Sequence, residues 1–248
     1  MKKIAIMQPT YIPWIGYFDL MDSVDVFVYF DDTQMRHRYW DVRNRIRTQQ
    51  GEIYLTVPVS KKVHRDKRMF CNSEIIYEDR WIERHIKSMT NNYRKTPFFE
   101  EVIDLFKVAL NSKPRHLSEL NIKLIYAIKE KIGIKTKTLR SSSLLGISGK
   151  KDVRLVNICK KLSMDTYVSP IGSSDYINST SLGGQFIHDG INLFYQNYQH
   201  PVYKQNHSNF LSHMSVVDIL FNYGFENSLD IIRSGRRKNI SYDKVLNI

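Results

Sequence analysis

Cysteine is scarce in this sequence, with only Cys71 and Cys159 among 248 residues. Two cysteines so far apart match no zinc-ligand spacing and no disulfide framework, which fits a reducing compartment. Long apolar runs are also missing, because none reaches the roughly 18–20 residues that a transmembrane helix needs. The N-terminal apolar stretch is short and interrupted by Pro9 and Pro13, which is typical of a first strand and not of a signal peptide. We therefore expect a cytoplasmic protein with no transmembrane segment.

Acidic side chains are outnumbered, since 25 Asp and Glu face 37 Lys and Arg, giving a formal net charge of +12. A surface of that sign attracts phosphorylated metabolites, nucleic acid, anionic lipid headgroups or an acidic protein partner. Solubility alone explains such a balance equally well, so the placement of the charges has to decide. No G-x-S-x-G, P-loop or G-x-G-x-x-G motif is present to name a reaction.

The opening segment, by contrast, is well organised. Residues 3–7 form a short apolar run, residues 15–21 repeat apolar side chains at helical spacing, and residues 24–30 are apolar almost throughout. Strand, helix and strand in this order predict a βαβ unit with parallel strands. Because parallel α/β sheets bind ligands beyond the carboxyl ends of their strands, we expect residues 8–13 and 31–34 side by side at a binding edge.

A basic β-hairpin comes after this unit. Its first strand carries three arginines at every second position, Arg43, Arg45 and Arg47. A turn at residues 48–51 leads into a returning strand over residues 53–57. Three guanidinium groups on one strand face match phosphate and carboxylate groups, which they bind bidentately. The alternative is a solvated strand face whose arginines pair with Asp41 and Glu52.

The rest of the chain alternates between helices and strands within one predicted domain. Residues 1–60 hold the βαβ unit and the hairpin, residues 79–133 are a helical segment, and residues 136–224 return to α/β alternation. Gly224 is predicted to end the last helix, and residues 234–248 are predicted to be a loosely held tail. The predicted fold class is therefore α/β, with an N-terminal Rossmann-like βαβ unit, an arginine-bearing β-hairpin, a central helical segment and a C-terminal α/β portion.

Two histidines and an aspartate are candidates for acid–base chemistry. His200 lies between a strand and a proline, in the kind of loop that carries functional groups, whereas His85 lies on the apolar stripe of a helix. Asp31 and Asp32 come after the second strand, and if the strand alternation continues only one of them faces a ligand. No third carboxylate completes a metal site, and the histidines after residue 199 lack zinc spacing, so no metal is predicted.

Seven sequence blocks keep one order between Met7 and Gly224: MQPTYIPWIGYFDL, DDTQMRHRYWDVRNRI, LTVPV, WIERH with NNYRKTPFF, TYVSPIGSSDYI, GINLFYQNYQHPVYKQ and SVVDILFNYG. Together they resemble the WbqC-like family of bacterial surface-polysaccharide gene clusters. The resemblance implies a single family domain and an association with O-antigen and capsule assembly. It also implies transfer of an acyl or aminoacyl group onto a sugar.

The resemblance also implies site residues. Together with the arginine face, the implied substrate-binding positions are Gln8, Tyr11, Tyr17, Gln34, Trp40, Arg43, Asn44, Arg45, Ser169, Tyr176, Tyr203 and Gln205. The implied catalytic positions are His200 or His85 as the base and Asp31 to orient the acceptor. No resident cofactor is implied, and a phosphopantetheine or coenzyme A thioester stays open as the donor substrate. The expected partners are a sugar nucleotide or another phosphorylated small molecule, and an acidic acyl carrier protein.

Three functions stay open at this point. A sugar-modifying transferase is favoured, and the alternative is a non-catalytic sugar-nucleotide-binding or regulatory module of a polysaccharide assembly complex. Nucleic-acid binding is disfavoured, because the positive charge is not gathered in one tract and no nucleic-acid module is readable. The βαβ unit is also similar to nucleotidylyltransferases of the HIGH type. Tyr17 stands where those enzymes have a histidine, which argues against nucleotidyl transfer.

Overall fold

The strand-forming and apolar-periodic segments become regular elements in a computed structural model that describes residues 1–35, 40–62, 67–179, 181–207 and 209–245. Its strands are β1 (Lys3–Met7), β2 (Val26–Tyr29), β3 (Arg43–Thr48), β4 (Gly51–Thr56), β5 (Lys137–Arg140), β6 (Thr166–Ser169), β7 (Asn192–Tyr195) and β8 (Ile240–Ser241). Its helices are α1 (Ile15–Asp22), α2 (Trp81–Tyr93), α3 (Phe99–Asn111), α4 (Leu117–Lys131), α5 (Lys151–Lys161), α6 (Ser174–Ile177), α7 (Gly184–His188) and α8 (Val216–Ser234). None of the helices in these ranges combines the length and the apolarity that crossing a bilayer requires.

Six strands form one sheet in the order β5-β2-β1-β6-β7-β8. The first five of these are parallel, and β8 closes one side as an antiparallel partner of β7. The chain begins at β1, moves outward through β2 and β5, and then returns to β6 on the opposite side of β1. This arrangement confirms the α/β class. It also places a reversal of strand order between β1 and β6, the position beside which parallel sheets bind ligands.

Helices cover both faces of the sheet because the side chains of β1 alternate between two cores. Ala5 belongs to one apolar cluster, which is filled by α1, α2, α3, α4 and α8. Ile4 and Ile6 belong to the other, which is filled mainly by α5 and α7. A strand that is apolar on both sides needs such a double covering, since neither face can be left to water.

The predicted hairpin is confirmed as a separate two-stranded sheet of β3 and β4. Arg43 lies opposite Thr56 and Thr48 opposite Gly51, so only residues 49 and 50 form the turn. The hairpin and helices α2 to α4 are inserted between β2 and β5 along the chain. This insertion brings the arginine strand alongside the start of α1 instead of into the main sheet.

The predicted helix end at Gly224 is confirmed, because Gly224 has the non-helical angles φ 72° and ψ −178°. A second helical stretch within α8 follows this break and continues to Ser234. The ring of Phe98 occupies the place of a side chain there, 2.5 Å from where a Cβ would be, so only glycine fits. Within the predicted tail, β8 pairs with β7 and Val245 is buried. The last three residues of the predicted tail, 246–248, lie outside the described part.

Candidate functional site

A cavity of about 350 Å³ opens at the carboxyl end of β1, the edge at which the sequence predicts a binding site. Five of the predicted substrate-binding residues line it, namely Gln8, Tyr17, Trp40, Asn44 and Arg45. The other lining residues are Met7, Thr10, Pro13, Trp14, Asp41 and His213. We call it the β1-edge cavity. The loop after β1, the start of α1, the hairpin and a loop from the far end of the chain meet in it.

The indole of Trp14 forms one wall of this cavity and lies against the backbone of α1. A Cβ added at Gly16 would come within 2.3 Å of the indole ring. On other sides the ring meets Tyr198 edge-on at a centroid separation of 5.5 Å and stacks with His213 at 5.1 Å. The indole is therefore held in place, and position 16 needs glycine because of this close approach.

Gly16→Ala is expected to destabilise the protein, although alanine is normally better than glycine inside a helix by about 1 kcal/mol. The added methyl group must displace the packed Trp14 ring, and such overpacking typically costs about 1–3 kcal/mol. Urea denaturation of Gly16→Ala in the parent and in a Trp14→Ala background measures this coupling. In the second background the substitution should become neutral or stabilising.

Gly172→Ala is the matched control, because nothing lies within 4 Å of a Cβ at that position. It should leave the free energy of unfolding nearly unchanged. An equal loss from Gly16→Ala in both Trp14 backgrounds would contradict the assignment of glycine 16 to indole packing.

Two histidines lie beside Trp14. The centroids of His213 and His200 are 4.8 Å apart, and the indole stacks with both rings. Burial lowers the pKa of His200 to about 4, and burial together with the neighbouring Arg45 lowers the pKa of His213. Both rings are therefore neutral at pH 7, the form in which a histidine can accept a proton.

Of these two, His213 lines the cavity and His200 lies behind the indole. The Nδ1 of His200 donates to the carbonyl oxygen of Pro201 at 2.9 Å, which leaves Nε2 as its basic nitrogen. That Nε2 is buried and has no hydrogen-bond partner within the described ranges. The predicted base at His200 is therefore shielded from the cavity, whereas His213 is the histidine that sequence reasoning missed.

The backbone of His213 has φ 59°, a left-handed conformation that few residues other than glycine adopt. Its carbonyl oxygen accepts a hydrogen bond from Arg45 Nε at 3.2 Å. Strained loop residues of this kind persist only where the surrounding contacts hold them, and they cluster at functional sites. The arginine strand thus fixes the position of the cavity histidine.

The three hairpin arginines do not act together. Arg45 reaches the cavity, with its Nη1 paired to both carboxylate oxygens of Glu52 at 2.8 and 3.1 Å and its guanidinium 5.7 Å from the Trp40 ring. Arg43 lies over Tyr54 at 4.7 Å. Arg47 is 4% exposed and donates to three carbonyl oxygens. The predicted polyphosphate face is thus reduced to one arginine at this cavity, and the pairing with Glu52 is confirmed.

Two more predicted residues hold the first loop in place. The Nδ2 of Asn44 donates to the carbonyl oxygens of Tyr11 and Ile12, at 3.2 and 3.0 Å. The hydroxyl of Tyr11 lies 2.9 Å from Nδ1 of His85, and both side chains are buried. Burial lowers the pKa of His85 to about 4. Neither Tyr11 nor His85 lines the cavity, so this buried pair supports the loop after β1 from the interior.

Asp31 and Asp32 do not follow strand alternation, because β2 ends at Tyr29 and both lie in a turn. The hydroxyl of Ser141 donates to both carboxylates, which corrects the expectation that they face opposite ways. Asp31 is 1% exposed and accepts further hydrogen bonds from the backbone and the hydroxyl of Ser142. Asp32 pairs with Arg154. The predicted acceptor-orienting carboxylate is thus committed to joining the loops after β2 and β5.

Tyr203 and Gln205 surround a buried carboxylate. Both donate to Oδ2 of Asp218 at 2.9 Å, and the hydroxyl of Tyr93 donates to Oδ1 at 3.0 Å. The same Tyr93 hydroxyl accepts the backbone N–H of Arg47 at 2.9 Å. This network ties α8 and the segment before it to α2 and the hairpin, and it does not line the β1-edge cavity.

The remaining predicted residues lie elsewhere. Ser169 is buried at the end of β6, Tyr176 is exposed on α6, and Gln34 is exposed where residues 34 and 69 form an isolated bridge. None of the three lines the β1-edge cavity. Across the described residues, no group of three or more His, Cys, Asp or Glu side chains is arranged to hold a metal ion.

Comparison with known proteins agrees with the sequence resemblance. The model of the WbqC-like protein family matches residues 8–229. The chain is also 36% identical over 228 residues to an uncharacterized protein of Mycobacterium tuberculosis, covering 91% of this chain and 96% of that protein. No solved structure matches the chain. The matched range contains every residue that lines the β1-edge cavity except Met7.

Proposed function

The chain belongs to the WbqC-like protein family, and from that premise we propose that it is a transferase that moves an acyl or aminoacyl group onto an amino sugar or sugar nucleotide in surface-polysaccharide biosynthesis. The observation that carries the proposal is the meeting of Trp14, Arg45 and His213 in one cavity at the carboxyl end of the central strand. An aromatic wall and a cation suit recognition of a phosphorylated sugar, and a neutral histidine can remove a proton from it.

The aromatic residues would bind the sugar. Trp14 and Trp40 present flat apolar rings, which pack against the C–H faces of a pyranose or against a nucleobase. The Nη2 of Arg45 makes no hydrogen bond within the described ranges, while its other donors bind Glu52 and the His213 carbonyl. That donor is available to one phosphate oxygen of the ligand.

His213 would act as the general base in this reaction. Its neutral ring would take a proton from the sugar amine or hydroxyl as that group attacks the thioester carbonyl carbon. A C–N or C–O bond then forms, the C–S bond breaks, and the proton passes to the departing thiolate. A donor thioester on an acidic carrier protein would be attracted by the net charge of +12, and we place the reaction in the cytoplasm.

A second candidate function is a non-catalytic module that binds a sugar nucleotide. It is favoured by one observation, since the imidazole of His213 makes no hydrogen bond to a carboxylate within the described part of the chain. Catalytic histidines usually have such an orienting partner. This alternative shares the same cavity with the transferase and differs from it only in having no reaction after the ligand is bound.

A thermal-shift panel tests the binding step that both functions share. Sugar nucleotides, free nucleotides, acyl-coenzyme A and oligonucleotides are compared, because a ligand that binds the folded state raises its melting temperature. We expect stabilisation by a sugar nucleotide that is lost in Trp40→Ala. The control is Tyr126→Ala, which removes another exposed aromatic outside the cavity. Stabilisation by oligonucleotides alone, or a response that Trp40→Ala leaves intact, would overturn the proposal.

A further inference from the structure

A second cavity, of about 610 Å³, lies at the turn end of the hairpin. It is bordered by the turn residue Gln49, by Arg94 and Lys95 after α2, and by Lys204 and His207 from the segment after β7. None of the described residues that line it is acidic. We call it the basic cavity. It shares no lining residue with the β1-edge cavity.

The cations of the basic cavity are not neutralised by neighbours. Arg94, Lys95 and Lys204 are all exposed, and none of them forms a salt bridge with another described residue. At the start of α2 the pattern is different, since Arg80 pairs with Glu83 and Arg84 pairs with Asp79. Positive charge without a partner is therefore concentrated at the carboxyl end of this helix.

Arg47 adds a buried positive charge beside this cavity. Arg47 is 4% exposed, and its guanidinium donates only to backbone carbonyl oxygens, those of Thr48 and Gly51 beside the hairpin turn and that of Asn209. Burial is the larger cause that lowers the pKa of His207, and the charge of Arg47 lowers it further. The carboxylate on the other side of Arg47, Asp218, is buried and already accepts three hydrogen bonds.

Backbone dipoles do not reverse this balance. The carboxyl end of α2 borders the cavity, and so do Asn222 and Tyr223, which precede the break in α8 at Gly224. Each carboxyl end contributes a negative partial charge of about half an elementary unit, and the two together are smaller than the charge of the three exposed cations. The side-chain charges therefore decide the sign of the potential, which is positive.

We propose that the basic cavity is a second ligand site, which binds a small oxyanion such as the phosphate group of a phosphorylated metabolite. Guanidinium and ammonium groups bind phosphate through charge-assisted hydrogen bonds, and Gln49 supplies an amide donor at the same cavity. Arg45 and Gln49 lie four residues apart on the hairpin, roughly 13 Å along a strand. The two cavities can thus be occupied separately, and the proposal does not depend on the transferase activity.

The test is isothermal titration of the full chain with inorganic phosphate, pyrophosphate and glucuronate at about 0.15 M ionic strength, where the Debye length is about 8 Å. Phosphate and pyrophosphate represent a phosphorylated ligand, and glucuronate represents a sugar carboxylate. We expect phosphate to bind, and Arg94→Gln and Lys204→Gln each to weaken it about tenfold, the usual size of one charge-assisted hydrogen bond. If glucuronate binds while phosphate and pyrophosphate do not, and the same two substitutions weaken its binding, the ligand is a carboxylate and the oxyanion proposal stands.

Lys87→Gln is the matched control, because it removes one charge from the exposed face of α2 outside the cavity. It should change the affinity by less than about twofold, since exposed charges are screened beyond a Debye length. Equal weakening by Lys87→Gln and Arg94→Gln, or no binding of any of the three anions, would overturn the proposal. Trp40→Ala alters the β1-edge cavity and should leave phosphate binding to the basic cavity intact. The transferase proposal and the oxyanion proposal can therefore fail independently.

Discussion

Asp218→Ala is expected to lower the free energy of unfolding by about 3–5 kcal/mol, the range seen when one partner of a buried charged network is removed. Asp218 is fully buried, and it accepts hydrogen bonds from Tyr93, Tyr203 and Gln205. Alanine leaves two hydroxyls and an amide without their acceptor in a place that water does not reach. It also removes the carboxylate whose charge faces the buried Arg47.

Urea denaturation at neutral pH measures this loss, and Asp230→Ala is the control. Asp230 is an exposed aspartate on the same helix, so its replacement should cost less than about 0.5 kcal/mol. The loss for Asp218→Asn should lie between these two losses. The amide keeps one acceptor oxygen, and it carries no charge, whereas burial of the carboxylate is unfavourable and raises its pKa. A similar small cost for Asp218→Ala and Asp230→Ala would show that the network does not hold the hairpin to α8.

His213→Gln is expected to reduce turnover by about 10²–10⁴-fold once a donor and acceptor pair is known, the usual contribution of a general base. Glutamine keeps a polar side chain of similar size at the cavity but cannot accept the proton. Because burial and Arg45 lower the pKa of His213, the neutral ring persists below the ordinary value of about 6.5. The acid limb of the pH–rate profile should therefore fall below that value, with activity rising as pH increases through it.

Arg45→Gln should move that limb to higher pH, because one of the two causes that lower the pKa of His213 is removed. Proton NMR titration of the His213 ring measures the same shift without a substrate. His188→Gln is the control, since His188 is exposed on α7 and lies outside the cavity. Unchanged turnover in His213→Gln would show that His213 is not the base of the proposed transfer. A pKa of His213 above 6.5 would contradict the lowering by burial and by Arg45.

The elements that the sequence predicts correctly are those with local signals. The βαβ unit is predicted by one strand, one apolar helix stripe and a second strand, and the hairpin by alternation around a Gly51 turn. The position of the cavity at the end of β1 is predicted by a general property of parallel sheets. Gly224 is predicted correctly as a helix end, but the rule indicates neither the second helical stretch that follows it in α8 nor the ring of Phe98 that lies against it.

The residues that sequence reasoning misplaces depend on distant contacts. His213 enters the cavity because the backbone N–H of Ser215 donates to the carbonyl of Arg45 at 3.1 Å, and that of Val216 to the carbonyl of Pro13 at 2.8 Å. No spacing along the chain indicates contacts across some two hundred residues. The same holds for Asp31, whose carboxylate looks free in the sequence and is bound by Ser142 in the structure.

The strand order has a consequence for synthesis of the protein. β1 is made before its second neighbour, β6, which starts at Thr166, and His213 is made later still. Until those residues leave the ribosome, Trp14 lacks the rings that pack against it, and one side of β1 lacks its partner. Contacts between such distant segments also slow folding. The β1-edge cavity is therefore complete only once synthesis has passed His213, and a chain truncated before Thr166 would expose an unpaired edge of β1 to other molecules.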